Sequence, residues 1–83
     1  MSAVLADALE HLVRGIVDHP DEVRVDLVTT RRGRTLEVRV HPDDLGKVIG
    51  RNGRTATAFR TVVSALAGRA GARVDFVDVD RRR

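Results

Sequence analysis

The residues with the clearest chemical potential in this 83-residue chain are Gly50-Arg51-Asn52-Gly53, preceded by Lys47 and followed by Arg54. Glycine carries no β-carbon, so such a turn lets the backbone approach a ligand closely. It also sets that ligand beside the first amides of the following helix, which attract anions. Lys47, Arg51 and Arg54 add positive charge around the same point. A phosphodiester backbone is the natural ligand for this combination. The pattern is not a Walker A loop, because Lys47 precedes the glycines instead of following them. Nor is it a dinucleotide fingerprint, which needs a strand directly before the glycines. A bare Gly-x-x-Gly is most often an ordinary turn between helices. The flanking cations, the Val48-Ile49 pair and the order of the surrounding elements set this one apart.

Other chemistry finds no support. Ser2 and Ser64 are the only serines, and neither stands in a nucleophile-elbow context. His11, His19 and His41 lack the spacing of helical metal ligands, and cysteine is absent. His11 reads as a solvated residue on the polar side of a helix. Asp43 and Asp44 read as helix-start acids that complement the helix dipole, not as a catalytic pair. The reading is of a non-enzymatic chain with no cofactor and no metal. Phe59 and Phe76 are the only aromatic residues, which excludes broad base-stacking platforms.

Charge sharpens the first point. The chain has a net charge of +3, but residues 46–60 hold four cations and no acid, so the remainder is slightly negative. One concentrated basic stretch on a mildly acidic body suggests a local anion site. The N-terminus shows no secretory pattern and no apolar run approaches the roughly 20 residues that span a bilayer. The expectation is a protein without membrane association, soluble in the cytoplasm.

The elements that must position the loop follow from periodicity. Residues 2–18 repeat apolar residues four apart, giving an amphipathic helix with Ser2 as its cap and His19-Pro20 as its stop. Residues 23–30 and 35–40 alternate, with Val23, Val25 and Leu27 and then Leu36, Val38 and Val40 facing inward, and Arg31 to Arg34 turning between them. A short helix follows His41-Pro42, facing Leu45, Val48 and Ile49 inward. A longer helix over residues 54–70 buries Phe59, Val62, Val63, Leu66 and Ala70 and stops at Gly71. Residues 73–79 form a last strand, and residues 81–83 a basic tail after a single domain of residues 1–80. The order α-β-β-α-α-β packs most economically as an α+β two-layer fold, one three-stranded sheet with three helices on one face.

The run Gly46-Lys47-Val48-Ile49-Gly50-Arg51-Asn52-Gly53-Arg54-Thr55-Ala56 resembles the signature of a KH domain of the bacterial (type II) kind. Nearly the whole chain is similar to the small standalone KH proteins of the KhpA (YlqC-like) family. The resemblance implies single-stranded RNA binding, in which the loop clamps about four nucleotides. It assigns the clamp to Gly50, Arg51, Asn52 and Gly53, phosphate contacts to Lys47 and Arg54, and the floor of a base groove to Ile49 with Val38 or Val40, with plain core as the alternative for Val48 and the strand valines. It also implies a homodimer through the long helix, where Ala65, Ala67 and Ala70 permit close approach. It further implies pairing with a Jag-type (KhpB) KH protein, in the role of RNA chaperone or post-transcriptional regulator. The competing reading is an interaction subunit whose fold serves mainly to dimerise.

Overall fold

The computed structural model describes residues 2–31 and 33–77, apart from the side chains of residues 2, 3 and 70. The Ser2 cap, the extension of the last strand to residue 79 and the basic tail lie outside what is described.

The first helix, α1, spans Ser2–Arg14. Leu5, Leu9 and Val13 form its buried stripe, at the i, i+4 spacing that keeps side chains on one face. Its apolar surface is wider than the core can cover, and Val4 and Leu12 remain exposed, as does Ile16 just past its end. The helix ends four residues before the expected stop. Gly15 and Ile16 donate to the carbonyls of Leu12 and Val13, three residues back, which tightens the final turn. His19-Pro20 instead opens a separate 3-10 turn, Pro20–Glu22.

Strands β1 (Arg24–Thr30) and β2 (Gly33–Arg39) pair antiparallel with Val25 opposite Val38 and Leu27 opposite Leu36. Pairing continues to Thr30 opposite Gly33, so the hairpin is tighter than the sequence suggested and β2 begins two residues early. Strand β3 (Arg73–Val77) lies parallel to β2, giving a mixed sheet of order β1-β2-β3. Parallel neighbours need a long crossover. Here it is made by α2 (Leu45–Ile49) and α3 (Arg54–Ala67).

All three helices cover one sheet face. Leu36, Val38 and Val74 point into a single buried cluster with Leu9, Val13, Val48, Phe59 and Val63. Phe59 meets Phe76 of β3 at a ring separation of 6.1 Å. The opposite face is polar, with the Arg39 guanidinium donating to Asp26 at 3.0 Å and to Glu37 at 3.3 Å. This is the expected α+β two-layer fold.

Helix α3 departs from expectation in two ways. It ends at Ala67, with Gly68 as its C-cap, and a 3-10 turn then leads to Gly71. It buries Ala56, Phe59 and Val63, whereas Val62 and Leu66 are 40% and 59% exposed. One sheet covers only the central arc of a helix, and these two residues fall on its flank.

The connection between α1 and β1 is fastened by Asp44, a residue the sequence placed at a helix start. Its side chain is buried, and its oxygens accept from the backbone amides of Asp18 at 3.2 Å and His19 at 2.9 Å. The His19 ring Nδ1 completes the set at 2.9 Å. The ring of His41 stacks on His19 with centroids 3.9 Å apart, while its own Nδ1 accepts from the Asp43 amide. The hydrogen bond to Asp44 raises the His19 pKa against the opposing effect of burial, with Glu22 and Asp43 adding smaller attractions. Burial pushes the Asp44 carboxyl up. The His19 ring and the two amides outweigh that and leave it below its ordinary value.

A raised His19 pKa contributes stability that is fully present below about 6.5 and is lost as pH rises through the raised value. A lowered Asp44 pKa contributes stability present above its ordinary value and lost as pH falls through the lowered one. The pair therefore acts most strongly between the two. His19→Ala should lower the melting temperature by several degrees at about pH 5.5 and by clearly less at about pH 9. A melting-point difference independent of pH over that range would show that the ring contributes packing alone.

Candidate nucleic-acid interface

The loop is built by the meeting of two helices. Helix α2 closes with the Gly50 amide donating to the Gly46 carbonyl at 2.8 Å. The chain then turns through a 3-10 segment, Arg51–Gly53, closed by Gly53 donating to the Gly50 carbonyl at 3.1 Å. Gly50 takes φ 78° and ψ 171°, a region open essentially to glycine only. Asn52 and Gly53 both adopt left-handed conformations, at φ 56° and 74°. Asparagine tolerates that region better than most residues. Thr55 packs directly against Gly50, so the two ends of the turn are held close.

This arrangement brings Gly50 to Arg54 together at one tip, with Arg51, Asn52 and Arg54 exposed. Among the described residues, neither Arg51 nor Arg54 has an acidic partner. Lys47 lies one turn back on α2 and is exposed, but its amine is held by the Asp18 carboxylate at 2.8 Å. That hydrogen bond and charge raise the Lys47 pKa, which keeps the amine cationic. Ile49 is half-buried and packs against the core from below the loop.

Two sequence expectations need correction. Val38 and Val40 are 0% and 4% exposed, so neither can form the floor of a base groove. They belong to the core beneath the helices: Val38 lies on the covered inner face of β2, the central strand, and Val40 directly follows that strand. Among the described residues, one open hollow lies along α3 and the free edge of β3. Arg60 and Ser64 face Ala72, Arg73, Val74 and Asp75 across a hollow of about 430 Å³. Arg60 is fixed there, donating to the Val74 carbonyl at 3.4 Å with its guanidinium carbon 5.6 Å from the Phe76 ring centre. Its only signal in sequence was membership of the basic stretch.

The sequence also read the histidines as scattered. Folding gathers His19 and His41, and with Asp43 they offer ligand atoms within 4.8 Å of one another. The rings are nearly parallel, 13° apart, so their in-plane lone pairs run side by side and do not converge. Zinc needs donors converging at about 2 Å in a tetrahedron, which this stack does not present. Among the described residues, no helix is long and apolar enough to cross a membrane.

A Gly-x-x-Gly turn joining two helices against a mixed three-stranded sheet, in the order α-β-β-α-α-β, defines a KH domain of the bacterial kind. Residues 6–79 match the family described as KhpA/KhpB, KH domain, and the chain belongs to that family. It is 74% identical over 81 residues to a Mycobacterium tuberculosis protein named RNA-binding protein KhpA, covering 98% of this chain and all of the relative. Proteins of the same name from Streptomyces coelicolor and Halalkalibacterium halodurans are 71% and 49% identical, over 96% and 84% of this chain and 100% and 95% of their own. No solved structure matches significantly.

The two glycines are not equivalent. A β-carbon on Gly50 would strike the Thr55 hydroxyl and lie 2.8 Å from the Thr55 nitrogen, whereas one on Gly53 meets nothing within 4 Å. Gly53→Ala should cost only the left-handed backbone penalty, about 1–2 kcal/mol. Gly50→Ala should cost clearly more in urea denaturation, because it adds a clash with the backbone of α3. Equal losses in the two variants would contradict this account of the turn.

Proposed function

We propose that this chain binds single-stranded RNA through the Gly50–Gly53 turn, without catalysis, and acts on RNA as a chaperone or post-transcriptional regulator in the cytoplasm. The observation that carries the reading is a glycine turn at a helix junction whose two arginines, Arg51 and Arg54, are exposed and have no acidic partner among the described residues. The family and the names of the relatives support it. In this reading Gly50, Arg51, Asn52 and Gly53 hold the RNA backbone, Arg54 contacts phosphate, and Ile49 supports the bases from below. Lys47 joins them by exchanging Asp18 for a phosphate.

The charges bound the affinity. Single strands lose about 0.7 log unit of affinity per phosphate contact per log of salt. Two arginines with or without Lys47 give a log–log slope of about −1.4 to −2.1. Replacing Arg51 and Asn52 together by aspartate sets two negative charges against phosphate and should cost about tenfold or more, with little change in melting temperature. Fluorescence anisotropy with a labelled oligoribonucleotide measures both. A folded double variant with undiminished affinity would remove the clamp from the proposal.

A second observation favours assembly. Val62 and Leu66 expose apolar surface on the flank of α3, beside the exposed Ala65. Of the other two alanines in the stretch, Ala67 packs against the core and the Ala70 side chain is not described. This flank supports a homodimer, or a heterodimer with a Jag-type (KhpB) KH protein, and two clamps on one RNA raise avidity. Sedimentation over a wide concentration range should show a mass above 9.1 kDa that Leu66→Glu reduces to that of the single chain. A wild-type chain that stays monomeric throughout would defeat the homodimer.

A further inference from the structure

We infer that Asn52-Gly53 is a site of spontaneous deamidation whose product weakens RNA binding, so that the loop carries its own chemical expiry. The consequence for RNA rests on the function proposed above; the modification itself does not.

In the reaction, the Gly53 backbone nitrogen attacks the Asn52 side-chain carbonyl carbon. The nitrogen gives up its proton, ammonia leaves, and a five-membered succinimide closes. Water then opens the ring at one of its two carbonyls. One opening gives aspartate, the other isoaspartate, and the net change is an amide exchanged for an acid. Asparagine residues are among the thermolabile groups of proteins.

Four features of this loop favour that course. Asn52 is exposed, and among the described residues no hydrogen bond holds its carboxamide. The residue that follows is glycine, with no β-carbon to crowd the attacking nitrogen and no atom within 4 Å of where one would stand. Arg51 and Arg54 flank the site, and positive charge favours loss of the amide proton and the negative charge that builds on the attacked carbonyl oxygen. What restrains the reaction is local: the hydrogen bond from the Gly53 amide to the Gly50 carbonyl at 3.1 Å, and the left-handed Asn52 backbone at ψ 25°, which turns the Gly53 nitrogen away from the side chain. The nitrogen is released when this exposed 3-10 turn opens, the kind of local opening that exposed turns undergo most readily.

Both products damage the site, and isoaspartate does so twice. A carboxylate appears between the two arginines, cancelling one of the two unpaired cations. Isoaspartate also routes the main chain through the side chain, adding one atom to a turn closed by 3-10 geometry. Asn52 is the only asparagine in the chain, and glutamine is absent, so no second side-chain amide can confuse the measurement.

The test is to hold the full folded chain at 37 °C and mildly alkaline pH for days. Intact mass and enzymatic isoaspartate labelling follow the modification, and anisotropy with a single-stranded oligoribonucleotide follows binding. The expected result is conversion at Asn52 with affinity falling in step, with fresh Asn52→Asp already weakened and the fully aged protein, which also holds isoaspartate, weaker still. Asn52→Gly, compared with its own fresh value, should neither convert nor decline. An unconverted folded chain, under conditions that convert a peptide of residues 46–57, would overturn the modification. Conversion without loss of affinity would overturn its consequence. A fresh wild-type chain that fails to bind RNA would count against the proposed function alone, because the mass record still decides the modification.

Discussion

The buried carboxylate of Asp44 is the constraint on which the placement of the loop depends. It is a charged group in a domain whose core is small, and burying a charge is costly unless it is fully bonded. Two backbone amides and one imidazole meet that need, and all three come from the Asp18-His19 turn, 25 or 26 residues earlier. The anchor therefore joins the exit of α1 to the entry of α2. Helix α2 is only five residues long and could not hold its direction alone. Its anchored start, with Val48 fully buried beneath it, fixes where Gly50 emerges.

From that fixed point the electrostatics follow by subtraction. Four cations occupy residues 46–60, but two are engaged within the fold, Lys47 by Asp18 and Arg60 by the Val74 carbonyl and the Phe76 ring. What faces solvent without an acidic partner among the described residues is the pair Arg51 and Arg54, on either side of the turn. A short exposed ion pair such as Lys47–Asp18 is worth little and exchanges readily. It holds the lysine near the loop without committing it.

Much of the architecture was legible in the sequence because it is written in local patterns. Four-residue periodicity in α1, alternation in β1 and β2, and the Gly-x-x-Gly turn each depend on neighbours a few residues apart. Boundaries shifted where a nearer glycine acted first, at Gly15 instead of His19-Pro20 and at Gly68 instead of Gly71. Asp44 does stand at a helix start, but its anchoring role was missed because its partners are distant in sequence and an acid there has an adequate local explanation. Alternation placed Val38 and Val40 inward correctly, and their assignment to a groove floor came from the resemblance alone, which does not show how fully the helices cover the sheet. The same limit applies to Val62 and Leu66, since helical period cannot say how wide an arc the sheet will cover.

The crossover that separates β2 from β3 has a consequence for how the chain assembles. Helix α1 and the β1–β2 hairpin pair within the first 39 residues and involve short loop closures, which form early. Helix α3 is different: Phe59 meets Phe76, and Arg60 meets the Val74 carbonyl, so much of what it packs on belongs to β3. During synthesis the Gly50–Gly53 turn leaves the ribosome well before the strand that holds its second helix in place. Helix α3 thus finds its full set of packing partners only once nearly the whole chain has been made.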